Sequence, residues 1–336
     1  MSITLCMIVK DEEKYIKNCL DSALKLADNA VIVDTGSNDK TKEIIKGFGG
    51  KVKLVEYTWN NNFAQARNES LKYADGGWIL VLDADEILNC NKDNIINIIN
   101  IISTTKAEAL NIPITNVLSE ENNQNAYVYM RLFKNKGYNY YRAIHEQINI
   151  PINKSENLNR KDIEIVHYGY TQECINEKNK IRRNLDILLW ELNENPEDSF
   201  INYHIASTYA ADKNYSEALQ FYIKSYEYGL KYGFGEYYYI LVKKMCKCIY
   251  ILGDYNLCIQ FSNNLLLDAK LKKFVDLYFI IAESYFKLRD YNNAIAYTSK
   301  CLEIGEMENY PTLKGRGSFL AEALLNEIYE AMSREL

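Results

Sequence analysis

The sequence predicts an α/β domain over residues 1–172 followed by an all-α helical-repeat domain over 173–336. Three observations lead there. The chain has 336 residues, more than one core usually holds. Its first half alternates short apolar runs with amphipathic stretches, the rhythm of parallel strands joined by right-handed crossovers. Its second half repeats one set of side-chain spacings three times.

In chain order, Ile3 to Val9 is the first strand, and a helix runs on to about Ala27 with Ile16, Leu20, Ala23 and Leu24 on one face. Ala30 to Val33 is the second strand, and a helix through Ile44 and Ile45 follows. Val52 to Tyr57 is the third strand and Asn62 to Tyr73 a helix. Trp78 to Leu82, bounded by Gly76-Gly77, is a fourth strand, apolar enough to be buried on both faces. A helix from Asp93 to Ile102, strands at Glu108–Val117 and Ala126–Phe133 with an exposed loop at Glu120–Asn125, and a last strand from Ile163 towards Tyr170 complete the domain.

From about Ile175 the pattern changes. Lys178 to Leu192 reads as a joining helix and Asn195-Pro196 as the entry to the repeats. Ile205-Ala206 with Tyr215 and Ala218, Met245-Cys246 with Tyr255 and Cys258, and Ile281-Ala282 with Tyr291 and Ala294 share identical offsets. Small residues let paired helices approach, and a tyrosine opens the second helix of each pair. Gly317 to Leu336 reads as a terminal cap. The pattern resembles tetratricopeptide repeats, whose faces bind partners by default. The same surface could make a homodimer.

Composition narrows the function. A net charge of −6 argues against a general nucleic-acid binder. The eight cysteines lack metal-ligand spacing and read as cytosolic thiols. No apolar run reaches membrane-spanning length, and no leader pattern precedes the first strand. A cytoplasmic protein is expected.

The chemistry concentrates where strands end. The fourth strand runs into Asp83-Ala84-Asp85-Glu86. Two carboxylates two residues apart at the carboxyl edge of an α/β sheet can aim at one point, and they repel unless a cation lies between them. Hard oxygen donors suit Mg²⁺ or Mn²⁺, which keep waters and bind phosphates. The second strand likewise ends in Asp34-Thr35-Gly36-Ser37-Asn38-Asp39. Asp34 there can accept from a base N–H or a ribose hydroxyl. Asp39 stands with the nucleotide-binding set, with a helix cap as its alternative. Arg67, after the small residues Ala64 and Ala66, offers a fork suited to a pyrophosphate or a uracil carbonyl.

Cys6-Met7-Ile8-Val9-Lys10-Asp11-Glu12, Asp34 to Thr41, Phe63-Ala64-Gln65-Ala66-Arg67-Asn68 and Asp83-Ala84-Asp85-Glu86 resemble, in order and spacing over about the first 90 residues, the successive motifs of glycosyltransferase family 2. The resemblance implies a GT-A fold, a nucleoside-diphosphate sugar donor, a divalent ion on the Asp-x-Asp motif, and inversion at the anomeric carbon. It implies that Asp34 and Arg67 hold the nucleotide, that Asp83 holds ribose or metal, and that Asp85 is the chief metal ligand. It raises His167 as a third ligand, against a structural role. Glu86 is read as a polar neighbour.

An inverting transfer needs a base to take the acceptor's proton. Glu146, ending the aromatic stretch from Tyr138, is the candidate, and His145 the runner-up; a related subgroup of the family has a similar Ile-His-Glu stretch. The acceptor is expected to be a peptide, protein or glycan. Two other classes compete. One is a non-catalytic adaptor that senses a nucleotide sugar, disfavoured by the presence of Asp83, Asp85 and Glu146 together. The other is a nucleotidyltransferase, disfavoured by the lack of a glycine-rich basic loop near Lys10.

Overall fold

A computed structural model describes residues 2–116, 126–168, 175–307 and 312–335. The chain divides into two compact units, Met1–Glu177 and Lys178–Leu336. The expected loop at Glu120–Asn125, the expected domain boundary after residue 172, and Gly169 and Tyr170 lie outside the described residues.

The first unit is built on a mixed sheet. β1 (Ile3–Val9), β2 (Asn29–Asp34), β3 (Val52–Glu56) and β4 (Trp78–Val81) are mutually parallel where they pair. Between them run α1 (Ile16–Ala23), α2 (Thr41–Lys46) and α3 (Phe63–Leu71). Then follow β5 (Glu86–Asn89), α4 (Lys92–Thr104), β6 (Ala109–Asn116), β7 (Ala126–Lys134), β10 (Ser155–Asn157) and β11 (Glu164–His167). The strand order is β3-β2-β1-β4-β7-β6-β11-β5, with β10 beside β6. β7 is antiparallel to both β4 and β6, and β11 is parallel to β6 but antiparallel to β5. β8 (Tyr140–Tyr141) and β9 (Gln147–Ile148) form a separate small hairpin.

Alternation along the strands explains the two cores. Ile3, Leu5, Met7 and Val9 pack on one face with Ile16, Leu20 and Ile32. Cys6 faces the other side with Val31, Ile79, Val81 and Phe133. β4 is buried at all four positions, as its apolar run predicts; each such side chain contributes about 1.5–3 kcal/mol over exposure. α3 buries Ala64, Ala66 and Ser70 and packs on β1 and β2, so its small face lets it lie close to the sheet. Asn62 caps it by accepting from the Gln65 N–H at 2.9 Å.

α5 (Ile175–Glu194) begins just before the division between the units, and the second unit continues with three helix pairs: α6 (Ser199–Ala211) with α7 (Tyr215–Tyr232), α8 (Tyr238–Ile251) with α9 (Tyr255–Leu265), and α10 (Val275–Lys287) with α11 (Tyr291–Ile304). α12 (Phe319–Glu335) follows. Tyr215, Tyr255 and Tyr291 each open the second helix of their pair. The small residues Ala206, Ala218, Cys246, Cys258, Ala282 and Ala294 are fully buried. The turns match in backbone as well: Lys213, Gly253 and Arg289 occupy equivalent left-handed positions, φ 62°, 85° and 60°. A side chain there costs about 1–2 kcal/mol, partly offset by the greater flexibility of glycine when unfolded. Lys213→Gly is therefore expected to stabilise the protein by about 0.5–1 kcal/mol, read as a raised urea midpoint.

Candidate active site

The carboxyl ends of β1, β2 and β4 lie along one edge of the sheet, with Val9 level with Asp34 in the register. Asp34 closes β2 and is 2% exposed. Its Oδ1 accepts from the Gly36 and Ser37 N–H groups at 3.0 and 2.9 Å, a turn that Gly36 permits at φ +109°. Its Oδ2 is buried and has no hydrogen-bond partner. An unsatisfied buried acceptor costs about 1–3 kcal/mol, which a ligand donor would relieve.

Asp39 is engaged differently. Its Oδ1 accepts from the Thr41 N–H at 2.9 Å and its Oδ2 from the Glu13 N–H at 3.0 Å. Burial pushes its carboxyl up, but the bonds from Thr41 and the Glu13 backbone prevail and hold it below the usual range. With Asp11 Oδ1 accepting from the Asn38 N–H and Ser37 Oγ from the Asp11 N–H, Asp39 stitches the loops after β1 and β2 together. The N-cap of α2 is Lys40, with no side-chain capping bond, so Asp39 acts here as a loop tie.

A chain of alternating charges occupies the middle of the edge. Arg67 Nε lies 2.5 Å from Glu146 Oε1, and Arg67 Nη2 lies 2.7 Å from Asp83 Oδ1. Arg131 Nη2 lies 3.4 Å from Asp83 Oδ2 and 2.7 Å from Glu86 Oε1. Glu86 Oε2 accepts from the Asp83 N–H at 2.8 Å, closing the acidic turn. Burial pushes the Asp83 carboxyl up, but the guanidinium groups of Arg67 and Arg131 hold it well below the usual carboxylate range. Glu86 goes the other way: burial raises it, against Arg131 and with the Asp83 charge adding to the rise. Arg67 Nη1 is buried without a hydrogen-bond partner.

The third element is Asp85 with His167. β11 runs between β6 and β5, pairing His167 with Asn116 on one side and Glu86 on the other. His167 Nε2 lies 3.2 Å from Asp85 Oδ2, and the Tyr168 N–H donates to the Asp85 carbonyl at 3.0 Å. His167 Nδ1 lies 2.8 Å from Asn116 Oδ1. With that carbonyl oxygen as acceptor, Nδ1 carries the proton and Nε2 is the nitrogen presented to Asp85. In the protonated ring Nε2–H donates to the Asp85 carboxylate, and that bond raises the His167 pKa, against desolvation.

The structure thus brings Asp34, Arg67, Asp83, Asp85, Glu146 and His167 to one edge, as two linked networks and an orphan acceptor. His145 is exposed, at φ +52°, near the end of the hairpin loop. Glu146, its neighbour, is the one joined to Arg67. Among the described residues no group of three or more His, Cys, Asp or Glu side chains forms a ready cage for a metal ion. Asp83 directs both oxygens at arginines. Asp85 and His167 supply one hard oxygen and one imidazole; the carboxylate suits Mg²⁺ or Mn²⁺, whose remaining oxygens substrate phosphate and water would provide.

Sequence reasoning missed Arg131 and Asn116 and undervalued Glu86. The signal for Arg131 was a cation inside the otherwise apolar and aromatic run Ala126–Phe133. Glu86 is not merely a polar neighbour: its side chain is 3% exposed, because it pairs with Arg131 and caps the turn. Arg131→Met leaves that buried carboxylate without its cation. The expected loss is about 3–5 kcal/mol in urea unfolding, and Glu86→Gln combined with Arg131→Met should cost less than the two single changes together.

The fold is an α/β domain with its acids gathered at one strand-end edge, and comparison with known proteins gives its family. The "Glycosyl transferase family 2" sequence profile matches residues 4–171, half of the chain, and a "Tetratricopeptide repeat" profile matches residues 275–304. The chain belongs to glycosyltransferase family 2. A TPR repeat-containing protein of Synechococcus elongatus is 30% identical over 210 residues, covering 59% of this chain and 50% of that protein. The SPbeta prophage-derived glycosyltransferase SunS of Bacillus subtilis is 28% identical over 201 residues, covering 59% and 46%. The chain spans about half the length of these curated relatives. Among solved structures, residues 1–349 of Staphylococcus aureus TarS are 15% identical, with 94% of this chain and 95% of that one covered, at a TM-score of 0.42.

Proposed function

We propose that this chain is a metal-dependent, inverting glycosyltransferase that moves a sugar from a UDP-sugar to a hydroxyl or thiol of a peptide, protein or glycan. The observation that carries the reading is the Glu146–Arg67–Asp83 chain, which sets a carboxylate at the same edge as the Asp85–His167 pair. The orphan Asp34 Oδ2 supports the nucleotide: a uracil ring offers an N–H donor that cytosine lacks.

In the reaction, Glu146 accepts the acceptor's proton as that atom attacks the anomeric carbon. The bond from that carbon to the diphosphate oxygen breaks on the opposite face, UDP leaves with the electron pair, and the configuration inverts. Asp85 and His167 would hold a divalent ion, which when bound neutralises the diphosphate charge. Asp83 keeps Arg67 in place between the two halves of the site. The helix pairs of the second unit present the acceptor or a partner, or form a homodimer. The proposed location is the cytoplasm. No helix among the described residues is long and apolar enough to cross a membrane.

The test is turnover across a panel of nucleotide sugars with Mn²⁺ or Mg²⁺. Metal-dependent release of UDP is expected. Binding of a nucleotide sugar with no turnover on any acceptor would favour an adaptor instead.

A further inference from the structure

We infer that Asn68 is a positioning residue for Glu146: its carboxamide holds the backbone of the hairpin that carries the carboxylate. The inference rests on Glu146 being the base proposed above.

Asn68 follows Arg67 on α3. Its Nδ2 donates to the Tyr140 carbonyl at 2.8 Å, and its Oδ1 accepts from the Tyr140 N–H at 2.7 Å. Those are the two bonds that a neighbouring strand would make to β8. The hairpin needs them. β8 and β9 are two residues each and, among the described residues, pair with one another alone; a two-stranded hairpin is marginal without packing or further hydrogen bonds. The connecting loop carries Arg142 and His145 at φ 72° and 52°, a left-handed backbone that costs about 1–2 kcal/mol per residue.

Tyr140 and Ile148 pack against the sheet core beside Phe133 and Ile79, and α3 adds the hydrogen-bonded support. Besides the Asn68 pair, the Phe63 N–H donates to the Ala143 carbonyl at 2.7 Å, and Arg67 Nε meets Glu146 itself. α3 in turn is fixed by its buried small face against β1 and β2 and by its Asn62 cap. The rigidity of the sheet therefore reaches the hairpin by two routes, side-chain packing at Tyr140 and Ile148 and backbone bonds from α3, of which Asn68 supplies two. Asn68 does no chemistry and acts through the backbone of Tyr140. A carboxamide supplies one donor and one acceptor in a single plane; an aspartate of the same shape supplies acceptors alone and would face the Tyr140 carbonyl with like charge.

The experiment uses the full chain carrying Asn68→Asp, Asn68→Ser or Glu146→Gln. It measures turnover of the UDP-sugar chosen by the donor panel, UDP affinity with Mn²⁺ by calorimetry, and deuterium exchange of the segment 138–148. Both Asn68 variants are expected to lower kcat at least tenfold with donor KM and UDP affinity within twofold of the parent. Exchange should quicken in 138–148 while the β1–β4 segments stay protected. Parent-like kcat and exchange in both Asn68 variants, with Glu146→Gln inactive, overturns the inference alone. So does a parallel loss of UDP affinity and of protection throughout the first unit, which marks a structural role. Full turnover by Glu146→Gln overturns the base assignment and the inference with it.

Discussion

Glu146→Gln is expected to cut transfer by about 10²–10⁴-fold, the usual contribution of a positioned general base. Glutamine keeps the shape and can still accept from Arg67 Nε through its carbonyl, so the hairpin should stay in place. UDP affinity should hold within twofold, because Asp34, Asp85 and His167 are untouched. The readout is kcat against calorimetric UDP binding in one preparation. His145→Gln is the matched control: His145 is the exposed neighbour, and a larger loss there than at Glu146 would reassign the base.

Asp85→Ala is the second large expected effect. It removes the carboxylate that faces His167 Nε2 at 3.2 Å and leaves imidazole as the remaining candidate ligand of that pair. Divalent affinity in the presence of UDP should fall at least 100-fold; replacing a mere outer-shell partner typically costs 10–100-fold. Turnover should fall to background. Mn²⁺ binding followed by electron paramagnetic resonance measures the first effect without reference to activity. Undiminished Mn²⁺ binding would place the metal elsewhere. Asp83→Asn is expected to act otherwise, by releasing Arg67 and Arg131 rather than by removing a ligand.

The pattern of residues reveals some parts of this site and conceals others. Asp34, Asp83 and Asp85 were legible because they end apolar strands, and strand ends of a parallel α/β sheet share an edge. The repeat helices were legible because small residues and turn tyrosines recur at fixed offsets. Arg131 was not, because β7 reaches β4 only through antiparallel pairing across the sheet, which no local period encodes. Asn116 was not, because its partner His167 is 51 residues away and meets it only in the β6–β11 register. The paired role of Glu86 depends on Arg131 and was hidden with it.

By itself, then, the sequence determined the class of both units, the family, and which acids stand at strand ends, since hydrophobic period and turn chemistry are local properties. Tertiary structure alone decided how those acids are used. The geometry gave both oxygens of Asp83 to arginines, set His167 against Asp85, and joined Glu146 to Arg67. Charge pairing across 79 residues depends on which strands become neighbours, and that is settled only when the sheet assembles.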